Sequence, residues 1–209
     1  MSQLTRKRLE MELTGLQFPK NVNILLEQYP TPPSIAATLL WHAYMQGDIC
    51  NRVIFDVGCG NGILGIGAAK LGAKEVWFLD IDREMVRAAQ ENATARGIKN
   101  AVFVVSDITE FHTEVLPDTI VMNPPFGSRS GGGDMPFIQK VIEWKKPTYI
   151  IHRLAPGVSD YLSRIFEKNK LRMEIFGHEK FEIPWLYNFH RKRKVWIEVF
   201  LAKISPTIP

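Results

Sequence analysis

The chain has 209 residues, 45% of them hydrophobic and 23% charged, with a formal net charge of +4 and two cysteines. At this length a chain buries roughly 70% of the surface its unfolded form exposes, so its core needs no disulfide staple. The composition excludes collagen-like, mucin-like and wholly disordered chains. No apolar run approaches the ~18 residues of a membrane span, and the charged start Arg6-Lys7-Arg8 has no hydrophobic stretch behind it, as a secretory signal would.

The first fifty residues predict helix. Leu9 and Leu13 fall on one face, and a second helix over 34–46 follows Pro32-Pro33. These residues are expected to form a lid or layer over the sheet edge that covers a bound cofactor. The expected organisation is thus one domain over 1–209, with residues 1–50 as extension and 51–209 as core. Cys50 and Cys59 form no CxxC pair, so no zinc knuckle or other metal site is expected, and reduced thiols suit a cytoplasmic protein.

From residue 52 strands and helices alternate. Strands are predicted over 52–56, 75–80, 101–106, 119–123 and 148–152. Helices are predicted over 63–71, 82–96 (with Asp82 as its cap), 135–144 and 158–169. Two further strands, over 171–183 and 195–204, have no helix between them and predict an antiparallel pair. The fold class that follows is α/β: a doubly wound, mostly parallel seven-stranded sheet with an antiparallel last strand, Rossmann-like in build.

The first strand ends in Asp56-Val57-Gly58-Cys59-Gly60-Asn61-Gly62-Ile63. Glycines at alternate positions after a buried strand let a ligand approach the backbone, and the crevice at the carboxyl ends of such strands is where ligands bind. Gly60 to Gly65 also spells GxGxxG, so a nicotinamide or flavin enzyme is a rival reading. Three carboxylates close three successive strands: Asp56, Asp80, and Asp107 followed by Ile108. A pyrophosphate would be repelled by Asp56, whereas a cationic amino-acid moiety would tolerate it. Asp80 is placed for ribose hydroxyls and Asp107 for the amine of an adenine. Taken in order, they describe S-adenosylmethionine.

The fourth strand delivers Asn123-Pro124-Pro125-Phe126 to the same crevice. The prolines fix the backbone and remove two donors. The Asn123 amide oxygen and the Pro124 carbonyl can then accept both hydrogens of a planar NH₂ group. Held out of plane, that nitrogen localises its lone pair toward an activated methyl, while Phe126 offers a stacking face for a base.

This arrangement resembles the class I S-adenosylmethionine-dependent methyltransferases that modify planar amino nitrogens, over residues 50–204. With Leu26-Glu27-Gln28-Tyr29-Pro30-Thr31 upstream and Tyr187-Asn188-Phe189-His190 downstream, the chain is similar to the archaeal and eukaryotic small-subunit ribosomal RNA adenine-N6 methyltransferases. The resemblance implies that Gln28 and Thr31 fold over the cofactor and that Gly58, Gly60, Asn61, Gly62 and Ile63 line its methionine portion. It implies that Asp80 holds the ribose, and Asp107 with Ile108 the adenine. It also implies a small zinc-binding activator protein as partner. The expected docking edge is the third strand, Ala101 to Val105, which carries neither charge nor proline.

The tetrad alone does not choose among adenine N6, guanine N2, cytosine N4 and a protein glutamine amide. Tyr187, Phe189 and His190, running into Arg191-Lys192-Arg193-Lys194, combine stacking faces with positive charge and favour RNA with an extruded base. Arg129 and Arg6-Lys7-Arg8 extend that track. A protein glutamine methyltransferase and a guanine-N2 methyltransferase remain the nearest alternatives, and a non-catalytic scaffold would be expected to have lost Asn123 or Asp80.

Overall fold

The computed structural model describes residues 5–20, 22–23, 26–126, 133–183 and 195–207. Two helices lead, α1 (Arg6–Leu13) and α2 (Pro33–Met45). They are followed by β1 (Val53–Val57), α3 (Ile63–Lys70), β2 (Glu75–Asp80), α4 (Arg83–Ala95), β3 (Ala101–Val105) and β4 (Thr119–Met122). The chain continues with α5 (Met135–Trp144), β5 (Thr148–Arg153), α6 (Val158–Lys168), β6 (Leu171–Ile183) and β7 (Val195–Pro206). The seven strands form one sheet in the order β3-β2-β1-β4-β5-β7-β6. β1 to β5 pair in parallel, and β7 runs antiparallel to both of its neighbours, β5 and β6. This is the Rossmann-like class I arrangement that the alternation of elements predicts.

Strands buried on both faces must be apolar throughout, and alternate residues sort into two cores. Ile54, Phe78, Val121, Tyr149, Ile151 and Leu201 face one side, against α1 to α4. Phe55, Leu79, Ile120, Met122, Ile150 and Phe200 face the other, against Ile138 and Val141 of α5 and Leu162 and Phe166 of α6. Local chemistry places the helix starts. The Asp82 side chain accepts from Glu84 N and caps α4, as predicted, Thr5 caps α1, and Pro33 opens α2.

One expectation is corrected. The leading helices do not cover the sheet edge: Leu9, Leu13, Leu39 and Leu40 pack into the core over the face of the central strands. Their apolar residues are numerous enough to require a sheet face, which an edge cannot supply. The cofactor-side cover comes instead from the connection between α1 and α2, described below. β3 does lie at the sheet edge, and Val105 at its end is exposed. No helix among the described residues is long and apolar enough to cross a membrane.

Candidate active site

β1, β2, β3 and β4 end on the same side of the sheet, and a cleft of about 270 Å³ opens there. Its wall includes Asp56 from β1 and Gly58, Gly60, Asn61 and Ile63 from the turn and helix that follow. Asp80 lies at the end of β2, Asp107 and Ile108 lie beyond β3, and Asn123 and Pro125 follow β4. Gln28 and Thr31 close the cleft from the connection between α1 and α2. Residues separated by nearly a hundred positions thus share one chamber, as the sequence reading requires.

The glycine turn holds itself shut. Gly58 N and Cys59 N both donate to Leu79 O, and Gly62 N donates to Cys59 O. Gly60 N donates to Asp80 Oδ2 at 2.9 Å, and Gly65 N donates to Asp56 Oδ2 at 2.7 Å. Asp56 therefore caps the first turn of α3 from the preceding strand, because the N-cap position is Gly62 and has no side chain to do so. Gly62 does not line the cleft. It stands at φ 84°, and a Cβ there would lie 2.9 Å from that of Ala89. Its glycine is demanded by the turn and by the packing of α3 on α4.

The electrostatics separate the rival cofactors. Glu27, Asp56, Asp80 and Asp107 all line the cleft, while no lysine, arginine or histidine does so among the described residues. A pyrophosphate would meet acidic side chains, no cationic one among the described residues of the wall, and a turn whose amides are largely spent on internal bonds, so the nicotinamide and flavin reading fits poorly. A sulfonium with an ammonium group meets a complementary surface. Burial pushes the Asp56 carboxyl well above its usual range, against the opposing effect of the Gly65 amide, with Asp80 raising it further. Burial also raises Asp80, partly countered by the amides of Asp82 and Gly60. The Cys59 thiol is pushed up by burial and by these two acids, so it is no nucleophile. Asp107 is held below its usual value by the Thr109 amide and hydroxyl, both of which donate to its Oδ1.

A raised folded-state value means that the native state prefers Asp56 protonated. Its stabilising share is complete below the ordinary value of 3.8 and is lost as pH rises through the raised one. Asp56→Asn keeps an oxygen for Gly65 N and removes the buried charge. The stability of wild type minus that of Asp56→Asn is therefore expected to fall as pH rises above the ordinary value of 3.8, until the raised value has been passed, in urea titrations. A flat difference would show that Asp56 ionises at no cost inside the fold.

At the tetrad, Asn123 is half-buried at the end of β4 and held on both sides. Tyr29 Oη donates to its Oδ1 at 3.0 Å, and its Nδ2 donates to Thr31 Oγ1 at 2.9 Å. Phe126 N donates to Glu27 Oε2 at 2.7 Å. The Phe126 ring lies 5.5 Å from Tyr29 and 5.8 Å from His152, while Pro124 is buried beneath. His152 is itself 2% exposed and bonds Asp134 at 3.1 Å, a contact that helps hold the Asp134 carboxyl below its usual value despite burial. Gln28 Nε2 donates to Asp82 Oδ2 at 2.8 Å and anchors the same connection to α4. Asn61 Nδ2 donates to Gln17 O, so its side chain ties the leading segment to the turn.

The sequence reading missed Phe18, Glu27, Tyr29 and Phe137 as cleft residues. Glu27 and Tyr29 fall within the quoted Leu26-to-Thr31 motif, which was the available signal. Phe18 and Phe137 have none. Tyr187, Phe189, His190, Arg191, Lys192, Arg193, Lys194 and Arg129 lie outside the described residues.

The methyltransferase small domain family matches residues 35–144, more than half of the chain. Fold, cleft and this match define a class I S-adenosylmethionine-dependent methyltransferase. The chain is 33% identical over 201 residues to the rRNA N(6)-adenosine-methyltransferase METTL5 of Danio rerio, covering 94% of this chain and 95% of the relative. It is 31% identical to the Drosophila melanogaster rRNA N(6)-adenosine-methyltransferase Mettl5, with 95% of each covered. Among solved structures it is similar to a candidate RNA methyltransferase, PH1948 of Pyrococcus horikoshii. That likeness has TM-score 0.90 and 35% identity, with 99% of this chain and 100% of that one covered. The chain belongs to the methyltransferase small domain family, and it is similar to these relatives over nearly the whole of their length.

Proposed function

We propose that this enzyme methylates the N6 amine of an adenine in RNA, with small-subunit ribosomal RNA as the substrate. The observation that carries the reading is the half-buried Asn123 lining an acidic cleft, followed by two prolines and an aromatic ring. The names of the relatives from Danio rerio and Drosophila melanogaster support the choice of base and RNA, as does the basic aromatic run Tyr187 to Lys194.

The lining of the cleft suits the cofactor in charge. Asp80 would hold the ribose, Asp107 with Ile108 the adenine, and Gly58, Gly60, Asn61 and Ile63 the methionine portion. Asp56 and Gly62 would serve by fixing the turn, and Gln28 and Thr31 would cover the site. When bound, S-adenosylmethionine supplies an electrophilic methyl group on a sulfonium. The protein's own part is positional: Asn123 Oδ1 and the Pro124 carbonyl accept the two amine hydrogens, Pro125 keeps the turn rigid, and Phe126 stacks on the base. Preorganised acceptors favour the positive charge that develops on the nitrogen. The methylated nitrogen is acidic enough to lose its proton to water, so no strong base is required.

We read residues 1–209 as one domain, because α1 and α2 share the core of the sheet. Two free cysteines support a cytoplasmic setting. A small zinc-binding activator would add a strand to the half-buried apolar edge of β3.

The test is to incubate the purified chain with labelled S-adenosylmethionine and total RNA, tRNA, DNA or protein. Label is expected in N6-methyladenosine of small-subunit ribosomal RNA. Label in N2-methylguanosine or in a glutamine amide overturns the substrate, and full activity of the chain alone argues against the activator.

A further inference from the structure

We propose that Tyr29 is a positioning residue: its hydroxyl fixes which way the Asn123 amide faces, so that an oxygen and not an NH₂ group meets the substrate amine. The proposal rests on reading Asn123 as the clamp of that amine, and it adds the group that makes the clamp directional.

A side-chain amide has two nearly isosteric orientations, related by a half-turn about its last bond. In one of them Asn123 would present hydrogens to a substrate that itself presents hydrogens, and the clamp would repel. Its neighbours must therefore choose. Tyr29 Oη stands 3.0 Å from Oδ1, and Thr31 Oγ1 stands 2.9 Å from Nδ2. A phenol donates well and accepts poorly, because its lone pair is drawn into the ring. A threonine hydroxyl does either with equal ease. Tyr29 thus selects the acceptor end of the amide, and Thr31 follows. Oδ1 has two lone pairs, and Tyr29 occupies one, leaving the other for the substrate.

The phenol is itself immobilised. Its ring packs on Phe126 at 5.5 Å and on Phe181 at 5.8 Å, so the partner of Asn123 also braces the stacking ring three residues further on. Burial holds its hydroxyl protonated far above the ordinary value of 10, so the donor persists at every pH at which the protein is folded. On the adjoining residue pair, Glu27 Oε2 accepts from Phe126 N at 2.7 Å. The connection between α1 and α2 therefore grips the tetrad at both ends.

Tyr29→Phe removes one oxygen and keeps the ring contacts. The turnover number is expected to fall about tenfold while the affinity for S-adenosylhomocysteine by calorimetry stays unchanged and the melting temperature falls by no more than a few degrees, as the loss of one hydrogen bond requires. Independently of turnover, the Asn123 side-chain NH₂ resonances, assigned by their loss in Asn123→Ala, should exchange slowly with solvent in the wild type. In Tyr29→Phe they should broaden and exchange faster. Unchanged turnover together with unchanged resonances overturns the proposal, as does a loss of cofactor affinity that matches the loss of rate, since that marks a merely structural residue. If the wild type methylates no RNA, the substrate reading alone falls, and the resonances still decide the role of Tyr29.

Discussion

Asn123→Ala is expected to lower methyl transfer by at least about a hundredfold, the scale on which a preorganised transition-state contact acts. The variant removes the oxygen that turns a delocalised amine into a nucleophile and leaves the Pro124 carbonyl with half of the task. Cofactor affinity should change little, because the acidic residues assigned to the cofactor, Asp80 and Asp107, lie at other strand ends. The two hydroxyls that Asn123 bonds, those of Tyr29 and Thr31, lose their partner. They are close enough to the cleft to recruit water, so the stability loss should be about 1 kcal/mol. Single-turnover rates and calorimetric binding of S-adenosylhomocysteine separate the two effects. A variant that keeps most of the wild-type rate would remove the clamp from the mechanism.

The largest loss of stability is expected from Gly65→Ala. An added Cβ would stand 2.3 Å from Phe78 Cε1 and 2.7 Å from its Cζ. Phe78 is fully buried and stacks on Phe103 at 4.9 Å, so its ring cannot withdraw. Overpacking of this kind costs about 3 kcal/mol, and the better helix propensity of alanine returns ~1 kcal/mol. The net of about 2 kcal/mol lowers the melting temperature by roughly 4–8 °C in a chain of this size. Gly67→Ala is the internal comparison. Its Cβ also falls at 2.3 Å, but from Leu40 Cδ1, the end of an aliphatic side chain that is equally buried but has more rotamers to choose from than a phenylalanine ring. Thermal melts should therefore rank Gly65→Ala below Gly67→Ala, and the reverse order would mean that β2 yields to α3.

Where the sequence reading succeeded, the determinants were local. Strand and helix periods, the Asp82 cap and the glycine punctuation place the elements to within about a residue or two. β6 and α5 begin and end where the pattern says. Local signals also put Asn123, Asp80 and Asp107 at strand ends, and strand ends in a parallel sheet converge on one side. The reading was weakest where a residue's role depends on what packs against it from afar. Leu9 and Leu13 carry the signature of an apolar face, yet nothing in their spacing says whether that face meets an edge or the centre of the sheet. Asp56 reads as a ligand-facing carboxylate; it lines the cleft, but its spacing gives no sign that its Oδ2 accepts from the Gly65 amide nine residues later.

The amino-acid sequence by itself determined the alternation of elements, the place of the glycine turn and the identity of the tetrad, because each depends on contacts between near neighbours along the chain. Only the tertiary structure decided that Tyr29 and Thr31 hydrogen-bond Asn123, that Glu27 holds Phe126, and that four acidic residues line one cleft with no lysine, arginine or histidine among the described residues. Those pairings join residues more than ninety positions apart in the chain, and no period or spacing encodes them. They arise when the apolar faces of α1 and α2 bury against the sheet and draw the connection between those helices across the ends of the strands.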